Sequence, residues 1–108
     1  MRNTPIPSHR RPTTPGEILA EEFLHPLGIS QTALAERIGV HYPRLNEVIN
    51  GRRGVSVDTA LRLSKALGTS AEFWLNLQQM VDLYDAQHDD RTAQVLEHID
   101  PLVQAGKR

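Results

Sequence analysis

Arg44 and Asn46 stand in the stretch His41-Tyr42-Pro43-Arg44-Leu45-Asn46-Glu47, which holds side chains suited to reading the edge of a base. A guanidinium can fork onto guanine O6 and N7, and a carboxamide can pair with adenine N6 and N7. His41, Tyr42 and Glu47 add further donors and acceptors on the same short segment. Pro43 has no N–H to give and can only shape the start of a helix. Gln31 and Thr32 upstream, and Arg52 and Arg53 just beyond, are residue types that meet phosphate oxygens. The plain alternative for each of these residues is a solvated surface position. Arg37 and Lys65 are assigned to ordinary surface.

The residues for catalysis are not assembled in the same way. Five histidines are present (His9, His25, His41, His88, His98), and Glu22 and His25 have the i, i+3 spacing of one helical ligand pair. One such pair supplies too few ligands for a metal, and no second matching pair occurs. There is no HExxH, no glycine-rich phosphate loop and no cysteine nucleophile. The sequence therefore predicts no enzyme, no metal site and no cofactor.

The elements that must position the base-reading stretch are legible from apolar spacing. Leu34, Ala35 and Ile38 form one helical stripe, and Leu45, Val48 and Ile49 a second. Ala35 is small where two helices must cross closely, and Gly39 can take the positive φ that ends the first of them. Two short helices joined by a glycine-led turn are a helix-turn-helix, whose second helix enters the DNA major groove. Double-stranded operator DNA is the expected partner.

Around this unit the helix-start signals recur. Thr14 with Pro15 and Glu17 predicts a capping box, followed by a buried stripe of Ile18, Leu19, Phe23 and Leu24 that ends near His25-Pro26. Ser30 caps the second helix and Asn50-Gly51 ends the third. Ser56 caps a fourth helix, with Thr59, Ala60, Leu61, Leu63, Ala66 and Leu67 in the core and Gly68 as its stop. Ser70 caps the longest helix, over roughly residues 71–87. Its apolar positions Phe73, Trp74, Leu75, Leu77, Met80, Val81, Leu83 and Tyr84 are more than one side of a small core can cover. Phe73, Trp74, Leu77, Val81 and Tyr84 are therefore the expected dimer or partner interface, although for Trp74 the sequence slightly favours a core anchor. A final amphipathic helix holds Val95, Leu96, Ile99, Leu102 and Val103. The fold class is all-α: a five-helix repressor-like helix-turn-helix domain with a C-terminal amphipathic helical extension. Residues 1–13 read as a flexible basic arm, 14–88 as the DNA-binding domain, and 89–108 as the C-terminal helix and a tail that frays over residues 105–108. Arg10 and Arg11 either touch phosphate loosely or do nothing.

The 108 residues suffice for one domain, and the absence of cysteine suits a reducing cytoplasm. No apolar run approaches the ~20 residues that cross a membrane, and no secretory signal opens the chain. A net charge of −1 hides a polarity. Residues 1–68 hold nine Lys/Arg against six Asp/Glu, whereas residues 69–108 hold three against seven. Either this is ordinary solvated charge, or a basic front meets phosphate and an acidic rear (Glu72, Asp82, Asp85, Asp89, Asp90, Glu97) meets a basic protein.

Three blocks carry a family resemblance. Pro15-Gly16-Glu17-Ile18-Leu19 with Glu22-Phe23-Leu24 and Pro26-Leu27-Gly28 resembles the opening of HigA-type antitoxins of the XRE (Cro/C1-like) helix-turn-helix family. Asn50-Gly51-Arg52-Arg53-Gly54-Val55 followed by Asp58-Thr59-Ala60-Leu61-Arg62-Leu63 resembles the family's next signature. The block from Leu67 to Gln78, with Phe73-Trp74-Leu75-Asn76-Leu77 at its centre, is similar to a segment that generic XRE repressors lack. The likeness covers about residues 14–85. It implies a homodimer that binds its own operator, represses a toxin–antitoxin operon, and neutralises a small basic RelE-like, ribosome-dependent mRNA endonuclease. The alternative is a stand-alone XRE-type repressor without a toxin.

Overall fold

Thr14 fixes where the chain becomes regular. Its hydroxyl accepts the Glu17 amide at 3.1 Å, and the Glu17 carboxylate accepts the Thr14 amide at 3.1 Å. These reciprocal bonds satisfy two donors that a helix start leaves open. The computed structural model describes residues 10–103. Most of the expected N-terminal arm and the expected fraying tail lie outside the described residues.

Six helices follow, and no strand occurs among the described residues. Residues 15–27 run on as one helix, α1, built of α-helical Pro15–Ile18, π-helical Leu19–Leu24 and α-helical His25–Leu27. The wide middle turn has a local cause. Pro26 cannot donate to the Glu22 carbonyl and its ring crowds that oxygen, so the ladder slips by one residue before it. The His25 amide accordingly reaches the Ala20 carbonyl, five residues back. The chain thus stays helical past the expected stop at His25-Pro26. Then come α2 (Gln31–Ile38), α3 (Tyr42–Ile49), α4 (Val57–Leu67), α5 (Ala71–Gln87) and α6 (Asp90–Glu97). Ser30, Ser56, Ser70 and Asp89 cap α2, α4, α5 and α6 through their side-chain oxygens.

The apolar stripes converge on one core of Leu19, Leu24, Leu34, Ala35, Ile38, Leu45, Val48, Val55, Ala60, Leu63 and Trp74. Trp74 is fully buried at its centre, and its indole N–H donates to the Thr69 hydroxyl at 2.7 Å. Phe23 and Phe73 pack on it with ring centroids 5.4 and 4.9 Å away. Two expectations are corrected here. Trp74 and Val81 are buried within the chain's own core and leave no surface for a partner. Leu61 and Ala66, both expected inside, are exposed on α4, Leu61 at 56%.

Gly16 is the tightest point of the packing. A Cβ there would overlap the Val48 carbonyl oxygen and fall 2.7 Å from Ile49 Cα. The first turn of α1 therefore lies directly on the backbone of α3. At the other end, α6 packs against α5, and Val95, Leu96 and Ile99 are exposed. Gly16→Ala should destabilise the protein by about 1–3 kcal/mol through overpacking, lowering Tm by roughly 4–8 °C per kcal/mol. Thermal unfolding followed by circular dichroism checks this; an unchanged Tm would mean that α1 and α3 are not in backbone contact.

Candidate nucleic-acid interface

Helix α3 presents its residues in two sets. Leu45 and Val48 are buried and Ile49 packs against the core, while His41, Tyr42 and Arg44 are exposed. Asn46 and Glu47 lie between, half-buried. Pro43 falls in the first turn of α3, where a missing N–H costs little. Among the described residues Arg44 takes part in none of the three ion pairs, Arg11–Asp85, Arg53–Glu47 and Arg62–Asp58. Its guanidinium stays available to a ligand.

The turn before α3 is held by a residue that local sequence patterns did not single out. Gly39 has φ 74°, the left-handed conformation that a side chain strains. Arg62 of α4 donates to the Ile38 carbonyl at 2.7 Å and the Gly39 carbonyl at 3.4 Å, while its Nε donates to Asp58 at 2.9 Å. The carbonyls that end α2 thus find a charged donor. The Asp58/Arg62 i, i+4 spacing was visible in sequence, but the reach to residue 38 was not.

Several of the expected contact residues are brought together by hydrogen bonds. Asn46 donates through Nδ2 to Gln31 Oε1 at 2.9 Å and accepts on Oδ1 from Asn50 Nδ2 at 3.1 Å. Its second N–H faces the Tyr42 hydroxyl in a long bond of 3.5 Å. A carboxamide has two N–H donors and two lone pairs, so one lone pair remains for a base edge, and a donor follows only when the long bond to Tyr42 is given up. Gln31 therefore orients Asn46, an expected base reader, whereas Thr32 beside it is exposed. The Glu47 carboxylate accepts from Arg53 Nε at 2.8 Å, which pairs an expected base reader with an expected phosphate contact. Arg52 is exposed next to them, its amide bonded to the Glu47 carbonyl at 2.8 Å.

The expected partner surface on α5 does not form one patch. With Trp74 and Val81 inside, Phe73 is 38% exposed and Leu77 half-buried, while Tyr84 is occupied by His88 stacked on it at 4.0 Å. Exposed apolar groups on this helix are instead Met80 and Leu83. The charged edge of α5 captures the arm: Arg11 grips Asp85 with two bonds of 2.8 and 2.9 Å. The hydrogen-bonded guanidinium holds the Asp85 carboxyl below the usual carboxylate range. Its stabilising effect is present above the ordinary carboxylate pKa and fades as pH falls through the lowered one, and is small because both groups are half-exposed. Among the described residues no group of His, Asp and Glu is placed to hold a metal, and no helix is long and apolar enough to cross a membrane.

Comparison with known proteins agrees with this geometry. The helix-turn-helix family matches residues 19–74. Antitoxin HigA-1 of Vibrio cholerae is 49% identical over 80 residues, covering 73% of this chain and 74% of its own. The HTH-type transcriptional regulator YbaQ of Escherichia coli K12 is 40% identical over 95 residues, covering 88% and 84%. The Pseudomonas aeruginosa antitoxin HigA, solved with the higBA promoter, superposes with a TM-score of 0.79 at 42% identity, covering 86% of this chain and all of the other.

Arg62→Ala should cost about 1.5–3 kcal/mol, the range of hydrogen bonds to charged groups, and Arg62→Lys should not restore the forked contacts. Urea denaturation measures both variants. A midpoint unchanged in Arg62→Ala would show that the turn holds without this donor.

Proposed function

The chain belongs to the helix-turn-helix family, as a HigA-type member of its XRE branch, and from this premise we propose that it is a sequence-specific DNA-binding antitoxin. It represses its own type II toxin–antitoxin operon from the cytoplasm and neutralises a RelE-like mRNA endonuclease. It is a regulator and not an enzyme. The carrying observation is the open face of α3, where Arg44 is unpaired among the described residues and Asn46 is pre-oriented by Gln31 and Asn50. His41, Tyr42, Arg44 and Asn46 read bases, with Glu47 acting there or through Arg53. Thr32, Arg52 and Arg53 meet phosphate, and Gln31 contributes by holding Asn46.

One eight-residue recognition helix touches few bases, so a homodimer on a palindromic operator supplies the rest, with half-sites about one helical turn, ~34 Å, apart or a multiple of it. The exposed apolar residues Phe73, Met80 and Leu83 on α5, with Val95 and Leu96 on α6 and Ile99 just beyond its end, support such an interface.

A small basic toxin fits the acidic rear better than the basic front. Asp85 is engaged by Arg11, Asp82 by Gln78, and Asp89 caps α6. Of the six carboxylates expected to meet it, Glu72, Asp90 and Glu97 remain available. A stand-alone repressor is the second reading, favoured by the likeness to YbaQ, which is named as a regulator; an adjacent small basic open reading frame decides between the two.

Arg44→Ala should cost ~1–3 kcal/mol of specific affinity and relax preference at one base position. Fluorescence titration on promoter DNA reads this, and unchanged affinity with unchanged preference would remove Arg44 from base reading. The double variant Arg44→Ala/Asn46→Ala should lose operator binding yet still rescue growth when the toxin is co-expressed. Failure of the folded double variant to rescue would place the two functions on one surface.

A further inference from the structure

The loop between α3 and α4 carries Arg52 and Arg53, and it is pinned at both ends. Its near end hangs from Glu47, whose carbonyl takes the Arg52 and Arg53 amides at 2.8 and 3.3 Å and whose carboxylate takes Arg53 Nε. Its far end is held from α5. Gln78 accepts the Val55 amide on Oε1 at 2.9 Å, in a half-buried position where an unpaired N–H would be costly. The loop backbone runs flush against the same carboxamide, since a Cβ on Gly54 would lie 3.1 Å from both Gln78 Cδ and Nε2. Gln78 Nε2 donates to Asp82 Oδ1 at 2.9 Å, which fixes the carboxamide with its oxygen toward the loop.

We infer that Gln78 is the positioning residue for the phosphate-contacting loop: it touches no DNA, and it holds residues 51–55 so that Arg52 and Arg53 project along the backbone path. This rests on the DNA-reading assignment above. Ordering a free loop at the moment of binding costs conformational entropy for every residue fixed, and a loop fixed beforehand avoids that loss. Asp82, one turn further along α5, serves the same end by orienting Gln78.

The test is titration of promoter DNA and of a scrambled duplex across a salt series. Gln78→Met keeps the packed stem against Gly54 and removes the acceptor. Phosphate binding is sequence-independent, so affinity should fall about tenfold on both duplexes. The slope of log K against log salt should flatten by about 1–2, at close to 0.9 for each phosphate that is no longer neutralised. Gln78→Glu/Asp82→Asn can remake both hydrogen bonds with the charge moved, and should recover affinity and slope; a purely structural defect would leave the slope unchanged. In the wild-type protein the Val55 amide should exchange slowly with deuterium. If wild type binds promoter DNA but Gln78→Met keeps affinity and slope, or if Val55 exchanges freely in the wild type, the inference is overturned. If wild type shows no preference for promoter DNA, the DNA-reading assignment itself fails.

Discussion

The recognition helix is set from behind, by backbone contact. Gly16 lets the first turn of α1 rest on Val48 and Ile49 without an intervening side chain. This contact leaves α3 no freedom to slide toward α1, and Leu45 and Val48 fill the core beneath it. Every outward residue of α3 inherits its direction from that seat. The capping box at Thr14 and Glu17 belongs to the same device, because it fixes the turn in which Gly16 sits. Side-chain packing alone would tolerate small shifts, whereas a carbonyl against a Cα hydrogen does not.

Around this seat, α4 and α5 act as clamps. Arg62 reaches from α4 to the carbonyls that end α2, and Gln78 reaches from α5 to the loop that leaves α3. Asp85, two turns beyond Gln78 along α5, takes the arm through Arg11. Helix α5 thus has three jobs on three faces. Trp74 and Val81 complete the core, Gln78, Asp82 and Asp85 hold the appendages, and Phe73, Met80 and Leu83 remain open.

What was legible in sequence is what is decided locally. Ser30, Ser56 and Ser70 cap the helices they precede, Gly39 adopts the left-handed conformation assigned to it, and α5 spans the expected 71–87. These outcomes depend on residues within one turn of each other. The split of α3 into buried and exposed sets followed from helical period in the same way. The rest depends on partners distant in the chain. Helical spacing alone places Trp74 and Leu61 equally well inside or outside; the position of Phe23 and Thr69 settles Trp74, and Leu61 falls on the side of α4 that no other element covers. The Gln31–Asn46 and Glu47–Arg53 bonds turned two pairs of separately read contact residues into linked units. The π turn in α1 arose from Pro26 acting upstream on carbonyls it does not adjoin.

Among the six helices of the described chain, five have a side-chain cap, and α3 has none. His41 stands at its cap position without a capping hydrogen bond. Two features make this tolerable: Pro43 has no N–H to satisfy, and the Arg44 amide folds back onto the His41 carbonyl at 3.0 Å. The side chains of His41 and Arg44 therefore carry no capping duty at this helix start. Arg44 can be exchanged for other residues at little cost in stability, since surface changes away from caps and cores fall within about 0.5 kcal/mol, and replacing His41 forfeits no capping bond. On the proposed base-reading assignment, related chains can diverge in which DNA they prefer while the scaffold behind them stays the same, so operator choice can evolve almost independently of folding.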